Sequence, residues 1–145
     1  MKKISNSEML FMKAKQYIPG GVNSPVRAFM SVNKQYPIFI NKANGSRLYD
    51  EDGKEYVDFI GSWGPMILGH NYPEVLKTVK NVVEKGASFG LPTEKEVKLA
   101  EVVKKCFPSI EKVRLTTSGT EAAMAAVRLA RAFTGKNKIL KFEGC

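Results

Sequence analysis

Residues 116–124 read Thr116-Thr117-Ser118-Gly119-Thr120-Glu121-Ala122-Ala123-Met124, or TTSGTEAAM. The β-rich run Val113–Thr117 leads into this stretch, and a helical pattern follows it from Thr120 to Phe133. Lys138–Phe142 is β-rich again, so strand, helix and strand succeed one another within about thirty residues, as in a βαβ unit. The crossover of such a unit implies a parallel sheet. The stretch therefore predicts an α/β fold.

The start of this predicted helix has the chemistry of an anion site. The hydroxyl of Ser118 can cap the amide of Glu121, and the Glu121 carboxylate is expected to return to the Ser118 amide. Gly119 lets a ligand approach the backbone, and Thr120 adds a hydroxyl where free amides meet the positive end of the helix dipole. We therefore predict that Ser118, Gly119 and Thr120 bind a phosphate. The alternative is a capped helix without a ligand, and the sequence has neither a Walker loop nor a dinucleotide fingerprint.

The rest of the chain predicts helices and a small sheet. The boxes Ser5-x-x-Glu8 and Thr93-x-x-Glu96 and the proline at Pro73 each indicate a helix start. Turn residues separate three short predicted strands of an antiparallel meander, at Ile38–Ile40, Arg47–Tyr49 and Tyr56–Phe59. We therefore predict an N-terminal arm with a small antiparallel meander over residues 1–65. Residues 66–145 are predicted to begin a large α/β domain.

Three further residues, Ser24, Arg27 and Trp63, are candidates for ligand binding, whereas His70 is not. Arg27 follows a rigid Ser-Pro pair between apolar neighbours, where a guanidinium can bind a carboxylate through two parallel hydrogen bonds, with Ser24 assisting. The alternative is an ordinary surface arginine. Trp63 lies in the glycine-rich loop 61–64 and is either an aromatic wall beside a pocket or a core residue. His70 is expected to form a hydrogen bond at the start of the next helix rather than act as a base or metal ligand.

Composition excludes several classes of protein. The chain has 145 residues, a net charge of +9, 43% hydrophobic and 26% charged residues, which is typical of a globular protein. The charge suits nucleic acid or a phosphorylated ligand, but the lysines are spread along helical patterns and no nucleic-acid-binding motif occurs, so a small basic nucleic-acid module is only an alternative. Cys106 and Cys145 have no metal or disulfide spacing, and polar residues follow Met1. We expect a cytoplasmic chain without metal, export signal or membrane anchor.

Longer segments resemble one enzyme family. They are GGVNSPVRAF at 20–29, GSWGPMILGH at 61–70, and SGTEAAMAAVRLARAFTG at 118–135 running into KILKFEGC at 138–145. Together they are similar to the class III aminotransferases, which use pyridoxal phosphate, and the similarity extends over essentially the whole chain. The SGTEA segment and LYDEDGKEYVDF at 48–59 are shared widely in that family. The first and third segments resemble an aminomutase branch of it more narrowly.

The resemblance implies a fold, a reaction and a set of site residues. The fold is that of a fold type I transferase, a homodimer with pyridoxal 5'-phosphate or pyridoxamine 5'-phosphate at the subunit boundary. The reaction is the conversion of (S)-4-amino-5-oxopentanoate to 5-aminolevulinate for tetrapyrrole (porphyrin) biosynthesis. By position, Ser24 and Arg27 would hold the substrate carboxylate and Trp63 would form the pocket wall. Ser118, Gly119 and Thr120 would hold the cofactor phosphate.

Two departures from the family pattern accompany the resemblance. Thr117 stands where the family usually has asparagine, and the lysine that attaches the cofactor covalently is expected beyond residue 145. No catalytic residue is therefore assigned, and the chain is expected to be an N-terminal portion, inactive by itself and prone to misfold or associate. The alternatives are another class III aminotransferase, acting on an amino acid and a keto acid, and a truncated non-catalytic relative.

Overall fold

The computed structural model describes residues 4–144. These residues form two compact units, one within Met1–Ala87 and one within Ser88–Cys145. The domain boundary near residue 65 stays a prediction. The helices are α1 (Asn6–Ala14), α2 (Pro73–Val83), α3 (Glu94–Cys106) and α4 (Gly119–Thr134), and the strands are β1 (Ile40–Asn44), β2 (Arg47–Asp50) and β3 (Glu55–Val57). Short 3-10 turns lie at Pro19–Gly21, Pro25–Ala28, Met30–Val32 and Gly61–Trp63.

The three strands form the predicted antiparallel meander in the order β1-β2-β3. Asn44 pairs with Arg47 across the first turn, and Arg47 pairs with Val57 on the other side. The first strand, Ile40–Asn44, shares only Ile40 with the predicted Ile38–Ile40, and the third covers Glu55–Val57 rather than Tyr56–Phe59. Before β1, the Phe39 amide donates to the Ser7 hydroxyl at 3.1 Å, and the Phe39 carbonyl accepts from the Glu51 amide at 3.0 Å.

Helix α1 begins where its capping residue predicts and is fixed to the meander by carboxylate hydrogen bonds. The Ser5 hydroxyl accepts from the Glu8 amide at 3.1 Å. The Asp52 carboxylate, in the β2–β3 turn, accepts from the amides of Asn6 at 2.8 Å and Ser7 at 3.4 Å, where the helix dipole favours negative charge. The helix ends at Ala14, before the predicted end at Ile18, and tighter turns follow it, in which the amides of Gln16 and Tyr17 each donate to the carbonyl three residues earlier at 3.0 Å.

Helices α2, α3 and α4 confirm the predictions made from capping residues and apolar periodicity. The Thr93 amide donates to the Glu96 carboxylate at 3.1 Å at the start of α3. Gly135 ends α4 with a φ of 67°, the left-handed conformation common at helix C-termini. No helix among residues 4–144 combines the length and apolar character needed to cross a bilayer.

The predicted α/β fold class agrees with the helices and small sheet of this chain. Within residues 4–144, the β-rich segments Val113–Thr117 and Lys138–Phe142 flank α4 as predicted, and neither is paired in a sheet. Parallel strands are stable where helices cover both faces of the sheet. Here Leu140 is 98% exposed and Phe142 is 85% exposed, so no layer of side chains covers the second segment.

The buried residues of the first unit are few, and two of them are polar. Phe11 is the buried large hydrophobic residue of the described chain, and Ser7 and Asp50 are buried with it. Asp50 accepts from the Tyr56 hydroxyl at 2.8 Å and from the amides of Lys54 at 2.7 Å and Asp52 at 3.0 Å. Burial alone raises the pKa of Asp50, but these hydrogen bonds outweigh it and hold the pKa below its usual range. Burial and the bond to Asp50 raise the pKa of Tyr56 to about 12.

Candidate functional site

The N-terminus of α4 is built from the residues that the sequence singled out. Ser118 has an extended backbone, and its hydroxyl accepts from the Glu121 amide at 3.2 Å. Its carbonyl accepts from the Ala122 amide at 3.0 Å, which closes the first helical turn. The predicted cap by the Ser118 side chain is therefore confirmed.

The Glu121 carboxylate makes a contact beyond the one predicted. It accepts from the Thr117 amide at 2.9 Å and from the Thr117 hydroxyl, and the Ser118 amide, the predicted donor, contributes less to lowering its pKa than Thr117 does. The Thr117 hydroxyl, then the Thr117 amide, hold the pKa of Glu121 below its usual range. The carboxylate is therefore ionised at neutral pH and already has its donors.

Two backbone amides remain for a ligand. The N–H groups of Gly119 and Thr120 stand in the first turn of the helix, where no carbonyl four residues earlier belongs to the helix. Neither amide donates a hydrogen bond within residues 4–144. A Cβ added at Gly119 would meet nothing within 4 Å, so the backbone is open to close approach. These donors at the positive end of a 16-residue helix fit a phosphate.

Ser24 and Arg27 lie on a short 3-10 turn of the first unit. Ser24 precedes the turn, and its carbonyl accepts from the Arg27 amide at 2.9 Å. Ser24 is half-buried, whereas Arg27 is exposed, and its guanidinium has no hydrogen bond or ion pair with residues 4–144. Of its apolar neighbours, Val26 is exposed, whereas Ala28 and Phe29 are half-buried. Its role as a carboxylate anchor stays a prediction.

Trp63 lies on the loop that follows the meander. Its side chain is 68% exposed, so it does not belong to the core of the first unit as described. Its amide donates to the Ile60 carbonyl at 3.1 Å, and its φ of 66° is unusual for a bulky residue. No hydrogen bond among the described residues joins Trp63 to Ser24 or Arg27.

His70 forms a hydrogen bond, as predicted, but not with the helix that follows it. Its Nε2 lies 2.6 Å from Oδ2 of Asp58, while Tyr72 stands at the helix start. Sequence reasoning missed Asp58 altogether, because twelve residues separate the two and no motif joins them. In the part of the chain that the structure describes, no group of three or more metal-ligating side chains comes together.

Comparison with known families decides the assignment. The profile of the family described as "Aminotransferase class-III" matches residues 29–145, which is most of the chain. The chain belongs to the class-III aminotransferase family. The matched residues include Trp63 and the N-terminus of α4, whereas Ser24 and Arg27 lie before them.

Two relatives and one solved structure of this aminotransferase family are close to the chain. It is 65% identical over 140 residues to the protein named glutamate-1-semialdehyde 2,1-aminomutase of Fusobacterium nucleatum, covering 97% of this chain and 32% of that protein. It is 59% identical over 143 residues to the protein of the same name from Thermodesulfovibrio yellowstonii, covering 99% and 33%. A solved structure described as a transaminase with PLP bound is 40% identical, with a TM-score of 0.87 over 96% of this chain and 32% of that one. The chain thus spans about a third of the length of these relatives.

Proposed function

We propose that this chain supplies the cofactor-phosphate and substrate-carboxylate sites of a glutamate-1-semialdehyde 2,1-aminomutase. Such an enzyme converts (S)-4-amino-5-oxopentanoate to 5-aminolevulinate, the precursor of tetrapyrroles. The observation that carries the proposal is the identity of 65% and 59% to two proteins of that name over nearly the whole chain. The open amides at the start of α4 support it chemically.

The cofactor in this proposal is pyridoxal 5'-phosphate or pyridoxamine 5'-phosphate. The amides of Gly119 and Thr120 would bind the phosphate, with the hydroxyls of Ser118 and Thr120 as additional donors. When bound, the cofactor supplies the electron sink that allows an amine to move between carbon atoms. The solved relative with bound PLP supports this assignment.

Arg27, Ser24 and Trp63 would bind the substrate. The Arg27 guanidinium is exposed and has no partner within residues 4–144, so it is free to form two parallel hydrogen bonds with a carboxylate. Ser24 directly precedes the short turn that contains Arg27. Trp63 presents a mostly exposed ring that can cover an apolar part of the substrate.

Turnover of a single substrate tests the reaction. The complete enzyme, loaded with pyridoxamine 5'-phosphate, is expected to convert (S)-4-amino-5-oxopentanoate to 5-aminolevulinate without an added keto acid. An aminomutase returns the amine to the same carbon skeleton, so it needs no second substrate. Turnover that depends on an added keto acid would contradict the proposal.

Replacing Arg27 tests the substrate site. In the complete enzyme, Arg27→Ala is expected to lower kcat/KM by about a hundredfold or more, because two charge-assisted hydrogen bonds to the carboxylate are lost. Arg27→Lys keeps the charge but not the two-pronged geometry and should recover only part of the loss. Arg47→Ala is the matched control, since the Arg47 side chain makes an exposed ion pair with Glu55 at 3.2 Å. Equal rates for Arg27→Ala and Arg47→Ala would remove Arg27 from the site.

A second candidate is a two-substrate transaminase of the same family. The solved structure that favours it is described as a transaminase, and it is 40% identical to this chain. Such an enzyme transfers the amine from an amino acid to a keto acid. Robust transamination between separate substrates, unaffected by Arg27→Ala, would favour this candidate over the aminomutase.

We also infer that the complete enzyme is a cytoplasmic homodimer. Family resemblance supports the dimer, and the absence of metal or disulfide spacing at the two cysteines supports a reducing compartment. Sedimentation of the complete enzyme is expected to give the mass of two subunits. A monomer that retains full turnover would contradict an active site at a subunit boundary.

A further inference from the structure

The Asp58 carboxylate connects the two ends of the segment of residues 60–70, which contains the glycine-rich loop 61–64. At the start of the loop, Oδ1 of Asp58 accepts from the amides of Ile60 at 2.8 Å and Gly61 at 3.0 Å. At its end, Oδ2 of Asp58 lies 2.6 Å from Nε2 of His70. Both oxygens of the carboxylate are therefore engaged in holding the loop.

His70 is itself fixed by its backbone. Its carbonyl accepts from the Gly45 amide at 2.9 Å, and its amide donates to the Gly45 carbonyl at 2.8 Å. A Cβ added at the neighbouring Gly69 would lie 2.9 Å from the Gly45 carbonyl oxygen, so the two backbones are in close contact. The β1–β2 turn thus sets the position from which the His70 ring reaches Asp58.

The Asp58–His70 pair is largely shielded from solvent. The Asp58 side chain is 6% exposed and the His70 side chain 18% exposed. The bond from His70, followed by those from Gly61 and Ile60, lowers the pKa of Asp58, so its carboxylate is ionised at neutral pH. An ionised carboxylate only accepts hydrogen bonds, so Nε2 of His70 carries the hydrogen and donates. Such a charge-assisted bond away from water is stronger than an exposed one.

The loop between these anchors has an unfavourable backbone conformation. Gly61, Ser62, Trp63 and Gly64 have consecutive φ values of 55°, 57°, 66° and 117°. Side chains of L-residues disfavour this region, and such conformations persist only where the surroundings enforce them. The ring of Trp63 is mostly exposed and does not anchor the loop by packing in this unit. Hydrogen bonds inside the loop, such as those from the amides of Gly64 and Met66 to the Gly61 carbonyl at 3.1 Å, hold it locally, and the anchors at the two ends fix it to the meander.

We propose that Asp58 and His70 are positioning residues that hold this loop and thereby orient Trp63 toward the substrate. The inference rests on the proposed function, which places Trp63 at the wall of the substrate pocket. Neither residue touches the substrate in this proposal. They act through the loop backbone, and the pair links the meander to the pocket wall.

The test uses the complete enzyme loaded with cofactor and two variants at one position. His70→Gln keeps an N–H donor for Asp58, whereas His70→Leu has a side chain of comparable size and no donor. Glu55→Gln is the matched control, because it breaks the exposed pair with Arg47 and leaves the loop untouched. The emission of Trp63 is obtained in each background by subtracting the spectrum of the same protein carrying Trp63→Phe, and KM and kcat are measured alongside.

His70→Leu is expected to shift Trp63 emission and to raise KM about tenfold, with kcat changed much less, because a displaced pocket wall weakens substrate binding. His70→Gln is expected to restore both readouts most of the way. Glu55→Gln should match the parent enzyme. In the unmodified enzyme, the amides of Ile60 and Gly61 should exchange slowly with solvent, a measurement that needs no variant to fold.

Several results would overturn the inference. One is a folded His70→Leu enzyme with unchanged Trp63 emission and KM, even if its melting temperature falls, because the pair would then only stabilise the fold. A second is a His70→Gln enzyme as impaired as His70→Leu, and a third is rapid exchange at Ile60 and Gly61. If Trp63→Phe leaves KM unchanged while His70→Leu still shifts Trp63 emission, the pocket role of Trp63 fails and the positioning of the loop stands.

Discussion

Thr117 directly precedes the cap of α4, and the structure gives it a definite partner. Its amide and hydroxyl both donate to the Glu121 carboxylate. The Glu121 carboxylate at the start of α4 thus has its hydrogen-bond donors in Thr117. The amides of Gly119 and Thr120 remain available for a second anion.

Removing the Thr117 hydroxyl tests this arrangement. Thr117→Val is expected to raise the pKa of Glu121 toward its ordinary value, because the hydroxyl is the main cause of its lowering. Thr117→Ser keeps the hydroxyl and should leave the pKa low. Carbon-13 NMR titration of the Glu121 carboxyl measures both. Identical titration curves for the valine and serine variants would show that the hydroxyl bond does not hold the carboxylate.

At the scale of elements, α1 is held against the following turn by one aromatic ring. Gly21 has a φ of 75°, and a Cβ added there would lie 2.6 Å from Cε2 of Phe11. Gly20, next to it, has a φ of 68°, and a Cβ there would meet nothing within 4 Å. The two glycines therefore share a backbone conformation and differ in the space around them.

This difference gives a controlled stability prediction. Gly21→Ala is expected to lower the free energy of unfolding of the first unit by about 1–3 kcal/mol more than Gly20→Ala does, because only the first crowds the buried Phe11 ring. Both substitutions carry the strain of a positive φ, which therefore cancels in the comparison. Urea unfolding of the two variants in the complete enzyme measures the difference. Equal losses would mean that the ring moves aside without cost.

Helix starts were predictable from the sequence, because capping residues and prolines act locally. Ser5, Thr93 and Ser118 each stand directly before a helix. Contacts between residues far apart in sequence were not predictable in this way. The bond from the Phe39 amide to the Ser7 hydroxyl is one example, and it joins residues on either side of a long connection. The extended segment before α4 needs a partner strand, which no local pattern supplies.

The same distinction between local signals and contacts distant in sequence applies to the candidate site. Ser118, Gly119 and Thr120 follow from a capped helix after a β-rich run, so the open amides could be predicted. The part played by Thr117 could not, because the sequence shows that several donors lie near the Glu121 carboxylate and only the local geometry ranks them. The Asp58–His70 bond depends on how the intervening loop folds back, and no sequence spacing encodes it.

At the scale of the whole molecule, carboxylates hold the first unit together. Asp50 accepts three hydrogen bonds within β2, β3 and their turn, and Asp58 holds the loop that follows. The pKa of each lies below its usual range. Polar bonds rather than a large apolar core thus fix this part of the chain.

Acid is therefore expected to destabilise the first unit. The folded pKa values of Asp50 and Asp58 lie below the unfolded value near 4. The stability that these two carboxylates add is therefore fully present above the unfolded pKa and is lost as pH falls through their folded pKa values. Urea unfolding midpoints should fall from neutral pH to about pH 3. The Asp50→Asn variant should show a weaker pH dependence. A midpoint that falls equally in the parent and the variant would contradict the assignment to Asp50.

Large apolar side chains are exposed along the helices of both units. Examples are Val79 at 51%, Val102 at 54% and Phe133 at 90%. Such faces are typical of surfaces that pack against other parts of a protein. The relatives are about three times as long as this chain. The expectation that the chain by itself associates stays a prediction.

The measurement that tests the central claim most directly is a crystal structure of the complete enzyme with pyridoxamine 5'-phosphate. We expect the phosphate oxygens within hydrogen-bonding distance, about 3 Å, of the amides of Gly119 and Thr120. The Glu121 carboxylate should still be bound to Thr117. A phosphate held by other residues, with these amides facing solvent, would contradict the account.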